Sequence, residues 1–152
     1  MKDRYKSLVA VFLILTRTSN DGECKEVLLQ LRKNTGYMDG FYDLGASGHL
    51  EEDESIKDAV IRESLEEANI KVEANNLELV TVYNEKSNSL SYLRFFFHTE
   101  VYEGEISICE PDKCGEIGWY NLNNLPNNII PHVKKAIENF QNGINYDENG
   151  FE

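Results

Sequence analysis

The sequence predicts a layered domain of mixed strands and helices, in the α/β or α+β class. Short apolar runs rich in Val, Ile and Phe alternate with polar turns, and two longer segments have helical patterning. A chain of 152 residues is also long enough to close one hydrophobic core. Interleaved elements of this kind form a sheet covered by helices. We therefore expect one domain spanning residues 1–152.

The first half of the chain is predicted to be mostly strand. The apolar run at residues 8–15 is too short to cross a bilayer and suits a buried strand, which we predict at residues 7–18. The polar turn "SNDGE" joins it to a second strand at residues 26–34, so the two form a hairpin. A glycine-rich segment follows at residues 35–50, with a short strand at residues 41–44.

The second half begins with a predicted helix that starts at Asp53 or Ser55 and meets no Gly or Pro until past Ile70. Strands are predicted at residues 77–84, 91–101 and 116–120. A last helix should begin at Pro131 and end at Gly143. The remaining tail carries apolar side chains that either dock on the domain or mediate a dimer, namely Ile144, Tyr146 and Phe151.

The composition restricts the classes of molecule that the protein is expected to bind. A net charge of −12 argues against a nucleic-acid polymer, whose binders usually carry a basic stripe. A small phosphorylated ligand remains compatible, because a divalent metal can supply positive charge locally. The three cysteines form no Cys-x-x-Cys pair, which disfavours a disulfide framework or structural zinc and favours reduced thiols in the cytoplasm. No segment is long enough to span a membrane.

Three carboxylates crowd the stretch "RESLEEANI" near the end of the first predicted helix. At 100° per residue, Glu63 and Glu67 continue the apolar stripe of Ile56 and Val60, with Glu66 at its edge. A solvated acidic face would instead lie opposite that stripe. Negative charge is also unfavourable at this end of a helix dipole.

Two interpretations of the cluster stay open on this evidence. One is an acidic surface or an ion pair with a distant arginine, since the cluster has no Arg or Lys on its own face. The other is a site for a hard divalent cation, Mg²⁺ or Mn²⁺, because converging carboxylates raise one another's pKa or need a cation.

The spacing around the cluster adds a resemblance. Gly48 is followed by five residues and Glu54, then by seven residues and the run Arg-Glu-Ser-Leu-Glu-Glu, in which Arg62 comes first. This segment resembles the Nudix box, at residues 48–70, and the chain is similar to the Nudix hydrolase family of the MutT-like kind. It departs at Ser64, where a bulky apolar residue is usual, and at Asn69, where the family has glycine. Asn also tolerates the left-handed conformation that ends a helix.

The resemblance implies an α/β/α sandwich around a mixed sheet and a hydrolase that cleaves diphosphate bonds with Mg²⁺ or Mn²⁺. It implies Glu63 and Glu67 as the principal metal ligands, and Glu66 as a further ligand or as the base that accepts the water proton. Glu54 would be a supporting carboxylate. Arg62 would orient the glutamates through charge-assisted hydrogen bonds.

Further site residues are expected outside the helix. The resemblance implies that the backbone carbonyl of Ser47 binds the metal beside Gly48, close to the substrate. It also implies one more loop carboxylate, for which we favour Glu110 over Glu116 because Glu110 precedes a proline in an exposed loop. Both carboxylates are also compatible with surface charges.

Two arginines are candidates for binding the substrate. Arg32 and Arg94 each lie on or beside a strand that leads toward the predicted site, and arginine binds phosphate bidentately. An ordinary surface or salt-bridging role is equally compatible with the sequence.

The expected function is Mg²⁺-dependent hydrolysis of a diphosphate bond in a nucleoside diphosphate derivative, above all a nucleoside triphosphate in a house-cleaning role. The alternatives are a hydrolase of a nucleotide sugar or dinucleotide, or an inactive nucleotide-binding module of the same fold. The partners are then a small-molecule nucleotide and no membrane, with the protein a monomer or homodimer.

Overall fold

The computed structural model describes residues 3–151. No helix in this range has the length and apolar character needed to cross a membrane. A 3-10 turn, Ala74–Asn76, follows the first helix. The strands and α-helices of these residues are β1 (Leu8–Thr18), β2 (Lys25–Arg32), β3 (Tyr42–Leu44), β4 (Ala46–His49), α1 (Ile56–Ala68), β5 (Glu78–Ser87), β6 (Leu90–Thr99), β7 (Cys114–Asn121), α2 (Pro131–Asn142) and β8 (Tyr146–Asn149).

The strands form one mixed sheet in the order β3-β2-β1-β6-β5-β8, with β4 paired to β1 and β7 paired to β2. The β1–β6 and β5–β8 pairs are parallel, and the others are antiparallel. One edge of β1 carries β6 at residues 8–15. The other edge carries β4 at residues 10–13 and β2 at residues 16–18, so the sheet divides there into two branches. We call the space between these branches the fork.

The two α-helices cover opposite faces of the sheet. Alternate residues of β1 point to opposite faces, and both sets are buried. One set, with Val11 and Leu13, packs in the same cluster as Val60 of α1. The other set, with Phe12, packs in the same cluster as Ile137 of α2. The architecture is therefore the α/β/α sandwich that the sequence predicted.

Helix α1 has the ends that its sequence predicted. The Ser55 hydroxyl accepts a hydrogen bond from the backbone N–H of Asp58 at 3.1 Å, which caps the first turn. Asn69 adopts the left-handed conformation at φ 60° and ends the helix. Ser64 is fully buried, and its hydroxyl donates to the carbonyl of Val60 at 2.7 Å. Its polar group is thus satisfied inside the helix, so the departure from a bulky residue leaves no unpaired hydroxyl.

The structure differs from the expectation in two places. Residues 46–49, predicted only as part of a glycine-rich loop, form β4 because the fork gives them a free edge of β1. The tail docks on the domain through backbone pairing of β8 with β5. Its apolar side chains do not carry that docking, because Ile144, Tyr146 and Phe151 are 44%, 50% and 46% exposed.

Candidate active site

A cavity of about 540 Å³ opens in the fork, between β4 on one side and β2 with β3 on the other. Its lining includes the carboxylates of Glu67 and Glu110, which together with the neighbouring carboxylates of α1 we call the acidic side. Its lining also includes Arg32, Arg94 and His132, which we call the basic side. The cavity has the size of a small-molecule site. The fork therefore brings α1 carboxylates and cationic groups from the opposite face of the sheet to one space.

Arg62 is the hub of the carboxylates on α1. Its Nε and Nη2 atoms donate to the two oxygens of Glu54 at 3.0 and 2.8 Å. Its Nη1 donates to Glu63 at 2.7 Å and to Glu66 at 3.2 Å, and Nη2 also donates to the carbonyl of His49 at 3.1 Å. The hydrogen bond from Arg62 lowers the pKa of Glu54. This is the geometry that an orienting arginine requires.

The sequence placed no arginine on the face of the cluster, which suggested that its carboxylates lack a nearby cationic partner. That conclusion is wrong. Arg62 starts outside the acidic stripe, yet its long side chain reaches around to Glu63 and Glu66. Burial nevertheless raises the pKa of Glu63, although the hydrogen bond and the charge of Arg62 act to lower it. Two of the three carboxylates are thus ion-paired, and the third decides whether a cation is needed.

Glu67 is the carboxylate without such a partner. Its Oε1 accepts the backbone N–H of Ser47 at 2.6 Å, and its Oε2 accepts the Gln30 amide at 3.4 Å. No Lys, Arg or His among residues 3–151 lies within ion-pair distance of it. Burial raises its pKa well above the ordinary value, and the negative charges of Glu63 and Asp43 add to that rise. A buried carboxylate with only neutral donors is unfavourable as a free anion, so it takes up a proton or binds a cation.

The donor set fits a hard divalent cation, although no preformed cage exists. Within the described residues, no three His, Cys, Asp or Glu side chains converge closely enough to hold a metal ion. The groups beside the pocket are carboxylate oxygens, which Mg²⁺ and Mn²⁺ prefer. Gly48 also lies against the Glu63 carboxylate, since a Cβ at Gly48 would come within 2.2 Å of Glu63 Oε1. The backbone of β4 thus passes directly over a predicted metal ligand.

Ser47 links the two sides of the pocket. Its backbone N–H holds Glu67, while its hydroxyl donates to Asp43 at 2.9 Å. The sequence predicted a metal-binding role for its carbonyl, and that role stays a prediction. The contact that the geometry does provide is the amide, which fixes one oxygen of Glu67.

The loop carboxylates separate clearly. Glu110 lines the pocket, and its charge is close enough to raise the pKa of Glu63 after the larger effect of burial. Glu116 instead accepts hydrogen bonds from the hydroxyls of Tyr42 and Tyr120, away from the pocket. The geometry favours Glu110 as the further carboxylate.

Arg32 and Arg94 both line the pocket and both pair with a carboxylate. Arg32 Nη1 lies 3.3 Å from Asp43, while Arg94 Nη1 lies 2.5 Å from Glu85. Arg94 is only 6% exposed, so an ordinary surface role is wrong for this residue. Their binding of substrate stays a prediction.

Sequence reasoning missed several pocket residues on other elements. Gln30 interrupts the apolar run of β2, which was a usable signal of a buried polar contact. Asp43 is 3% exposed between Arg32 and Ser47, and burial raises its pKa. Burial and the charges of the two arginines lower the pKa of His132 to about 3. No sequence signal placed Asp43 or His132, because neighbours from distant segments determine their role.

The fold and the pocket are those expected of a hydrolase that carries a Nudix box. The model of the NUDIX domain family matches residues 6–140, which is most of the chain. The chain therefore belongs to the NUDIX family, and it is a hydrolase of diphosphate bonds.

Solved structures share this fold. A MutT NUDIX hydrolase from Burkholderia pseudomallei is 24% identical, with a TM-score of 0.77 over 89% of this chain and 98% of that one. A MutT protein from Methanosarcina mazei is 19% identical, with a TM-score of 0.72 over 93% and 97% of the two chains. A NUDIX hydrolase from Nitrosomonas europaea is 24% identical, with a TM-score of 0.69 over 97% and 82%.

Proposed function

We propose that the protein hydrolyses a diphosphate bond of a nucleoside triphosphate with the help of Mg²⁺ or Mn²⁺. The observation that carries the proposal is the carboxylate of Glu67. It is buried without a cationic partner and lines the same cavity as Arg32 and Arg94. One side of the cavity thus needs a cation, and the other side offers donors for phosphate oxygens.

The residues that would hold the cation are the carboxylates of Glu63 and Glu67, with Glu110 from the facing loop and the carbonyl of Ser47. When bound, such an ion neutralises phosphate charge and makes a bound water more acidic. Arg62 keeps Glu63 and Glu54 in place through its hydrogen bonds. The amide of Ser47 does the same for Glu67.

Glu66 is the carboxylate with the most freedom on this side. Its side chain is 54% exposed, against 13% for that of Glu63, and its one described ion pair is with Arg62 at 3.2 Å. It is therefore accessible to water and able to accept a proton from it or to complete the ligand set. We assign it the proton-accepting role.

The basic side accounts for a phosphorylated substrate on a protein of net charge −12. Long-range attraction does not favour an anion here, so recognition must come from local donors. Arg32 and Arg94 supply them, and Lys113 lies at the same pocket with its Nζ 4.0 Å from Glu110. Tyr37, half exposed at the pocket, offers a ring that a flat base can contact.

The test is a substrate panel with purified protein and either Mg²⁺ or Mn²⁺. The panel contains nucleoside triphosphates, nucleotide sugars and dinucleotides, and the nucleotide products are separated by chromatography. A triphosphate also releases inorganic phosphate or pyrophosphate, a nucleotide sugar releases a sugar phosphate, and a dinucleotide releases two nucleotides. We expect turnover of at least one triphosphate and its loss on chelation with EDTA. Turnover restricted to nucleotide sugars or dinucleotides would contradict the proposed substrate. Binding of nucleotides without turnover of any of them would contradict catalysis and favour a binding module.

A matched pair of variants tests the metal side. Glu110→Gln should raise the concentration of Mg²⁺ needed for half-maximal activity, because it removes a pocket carboxylate. Glu116→Gln removes the same charge from the neighbouring strand, where the carboxylate contacts two tyrosines, and should leave that concentration unchanged. Equal shifts in both variants would contradict the assignment of Glu110.

A further inference from the structure

Arg94 is an unusual buried arginine, because most of its donors are not used within the described chain. Its exposed fraction is 6%, yet the structure records one hydrogen bond from its guanidinium, to Glu85. The guanidinium also lies 4.5 Å from the centre of the Tyr92 ring and lines the pocket. A guanidinium carries five N–H donors. The donors that do not contact Glu85 are not sealed in the interior, because no nitrogen of Arg94 is among the fully buried side-chain atoms of the described residues that lack a partner. The remaining donors of Arg94 are therefore available to a ligand in the pocket.

Glu85 connects Arg94 to the C-terminal tail. One oxygen of its carboxylate accepts from Arg94 Nη1 at 2.5 Å, and the other accepts from the side-chain amide of Asn149 at 3.2 Å. Asn149 belongs to β8 and lies opposite Glu85 in the parallel register. A single carboxylate thus bridges the pocket and the last strand of the sheet.

The tail is closely fitted at this point. Gly150 has a φ of +87°, and a Cβ there would come within 2.1 Å of the carbonyl oxygen of Lys86. Further along β8, Asp147 accepts a hydrogen bond at 2.9 Å from Asn139, which is 1% exposed. These contacts fix the backbone of β8 and hence the direction from which Asn149 approaches Glu85.

We propose that Asn149 and Glu85 are positioning residues that hold Arg94 ready for a phosphate group of the substrate. This inference rests on the proposed function. A free carboxylate pairs with arginine through both oxygens and two donors. Asn149 engages one oxygen of Glu85, so Glu85 takes only one donor of Arg94. The other donors then stay directed to the pocket. The tail strand in this way sets the affinity of a site that it does not line.

The experiment compares KM and kcat in variants of the full-length protein. Asn149→Ala removes the donor at an exposed position, so the core is untouched. We expect KM for the nucleoside triphosphate to rise about five-fold with kcat within two-fold of the wild type, because only the phosphate contact is weakened. Asn149→Asp keeps the shape, replaces the donor by a second negative charge and should raise KM at least as much. The matched control is Tyr146→Phe, which loses a hydrogen bond to Glu148 on the same strand and should leave both constants unchanged.

A double-variant cycle separates positioning from a merely structural role. In an Arg94→Lys background, Asn149→Ala should have no further effect on KM, because the group on which it acts is gone. The same five-fold rise in that background would overturn the proposal, as would an unchanged KM in Asn149→Ala itself. An equal loss of activity in Tyr146→Phe would also overturn it. Absence of turnover in the wild-type protein would contradict the proposed function instead.

Discussion

The two sides of the pocket are built in different ways. On the acidic side, Glu63, Glu66 and Glu67 come from one turn-and-a-half of α1, and only the first two share a cation, Arg62. The basic side draws Arg32 from β2, Arg94 from β6 and His132 from α2. Each of its arginines has its own carboxylate, Asp43 or Glu85.

This difference in charge compensation separates the roles of the two sides. On the acidic side the negative charges outnumber the cation, and Glu67 is left buried with neutral donors. In the proposed function, the chemistry on this side depends on an added cation. On the basic side each charge is already paired, so the donors are preorganised for binding. We therefore expect changes on the acidic side to lower kcat and changes on the basic side to raise KM.

The largest effect should come from Glu67→Gln. The amide keeps the size of the side chain but is a poor ligand for a divalent ion, so kcat should fall about a thousand-fold or more. Stability should not fall. The raised pKa of Glu67 means that folding disfavours its charged form, and this cost to stability grows as pH rises above the ordinary pKa of a glutamate. Steady-state kinetics and thermal melting in EDTA measure the two effects.

Two outcomes would contradict the roles that we assign to the two sides of the pocket. One is an unchanged kcat in Glu67→Gln, and the other is a melting temperature of this variant well below that of the wild type. The first outcome would remove the metal-ligand assignment. The second would show that the carboxylate stabilises the fold and that its neutral donors are sufficient partners.

The next effect should come from Gly48→Ala. The added Cβ would lie 2.2 Å from Glu63 Oε1, so the carboxylate must move by more than an ångström. A displacement of this size in a metal ligand costs about 100-fold in rate, with little change in KM. Gly118→Ala on β7 is the control, because its nearest contact would be 3.9 Å from Tyr120. Equal activities in the two variants would show that Glu63 tolerates the shift and does not set the rate.

A smaller effect, on KM rather than on kcat, is expected from Arg32→Lys. Arg32 donates to the Tyr37 carbonyl at 2.8 Å and to Thr35 at 3.1 Å, and lysine cannot reproduce this planar set of contacts. We expect KM to rise about ten-fold with kcat nearly unchanged. Arg17→Lys is the control, because Arg17 pairs with Glu26 and covers Trp119 outside the pocket. A fall in kcat alone would show that Arg32 acts in the chemical step, as we expect of residues on the acidic side, and not in substrate binding.

The same difference explains how much of the site the sequence could predict. The acidic side was predictable because its spacing is local. Helical phase places Glu63 and Glu67 together, and the distances to Glu54 and Gly48 complete the box. The caps at Ser55 and Asn69 followed from the conformational preferences of single residues. Most strands followed from apolar periodicity for the same reason.

The basic side was predictable only in part, because tertiary contacts complete it. The sequence offered Arg32 and Arg94 as candidates, and both line the pocket, but it indicated neither their carboxylate partners nor His132. Asp43 becomes a pocket residue only when the fork places β3 beside β4. The link from Arg94 through Glu85 to Asn149 joins three strands whose pairing no local pattern encodes. Even on α1, the reach of Arg62 to Glu63 depends on a flexible side chain, which helical phase does not describe.

An effect on stability rather than on the kinetic constants separates the two sides by the sign of their pH dependence, and His132→Gln tests it. His132 is buried, and its pKa in the folded protein is about 3, below the ordinary 6.5. The unfolded chain therefore binds a proton that the folded chain does not between these values, so stability falls as pH falls through 6.5. This costs about 2 kcal/mol between pH 7.5 and pH 5. The raised pKa values of Glu63 and Glu67 act in the opposite direction, lowering stability as pH rises.

In urea unfolding with EDTA, the free energy of unfolding of His132→Gln should gain about 2 kcal/mol relative to the wild type from pH 7.5 to pH 5. Parallel pH curves for the two proteins would show that the basic side accepts a third positive charge, and that its arginines are less preorganised than their ion pairs indicate.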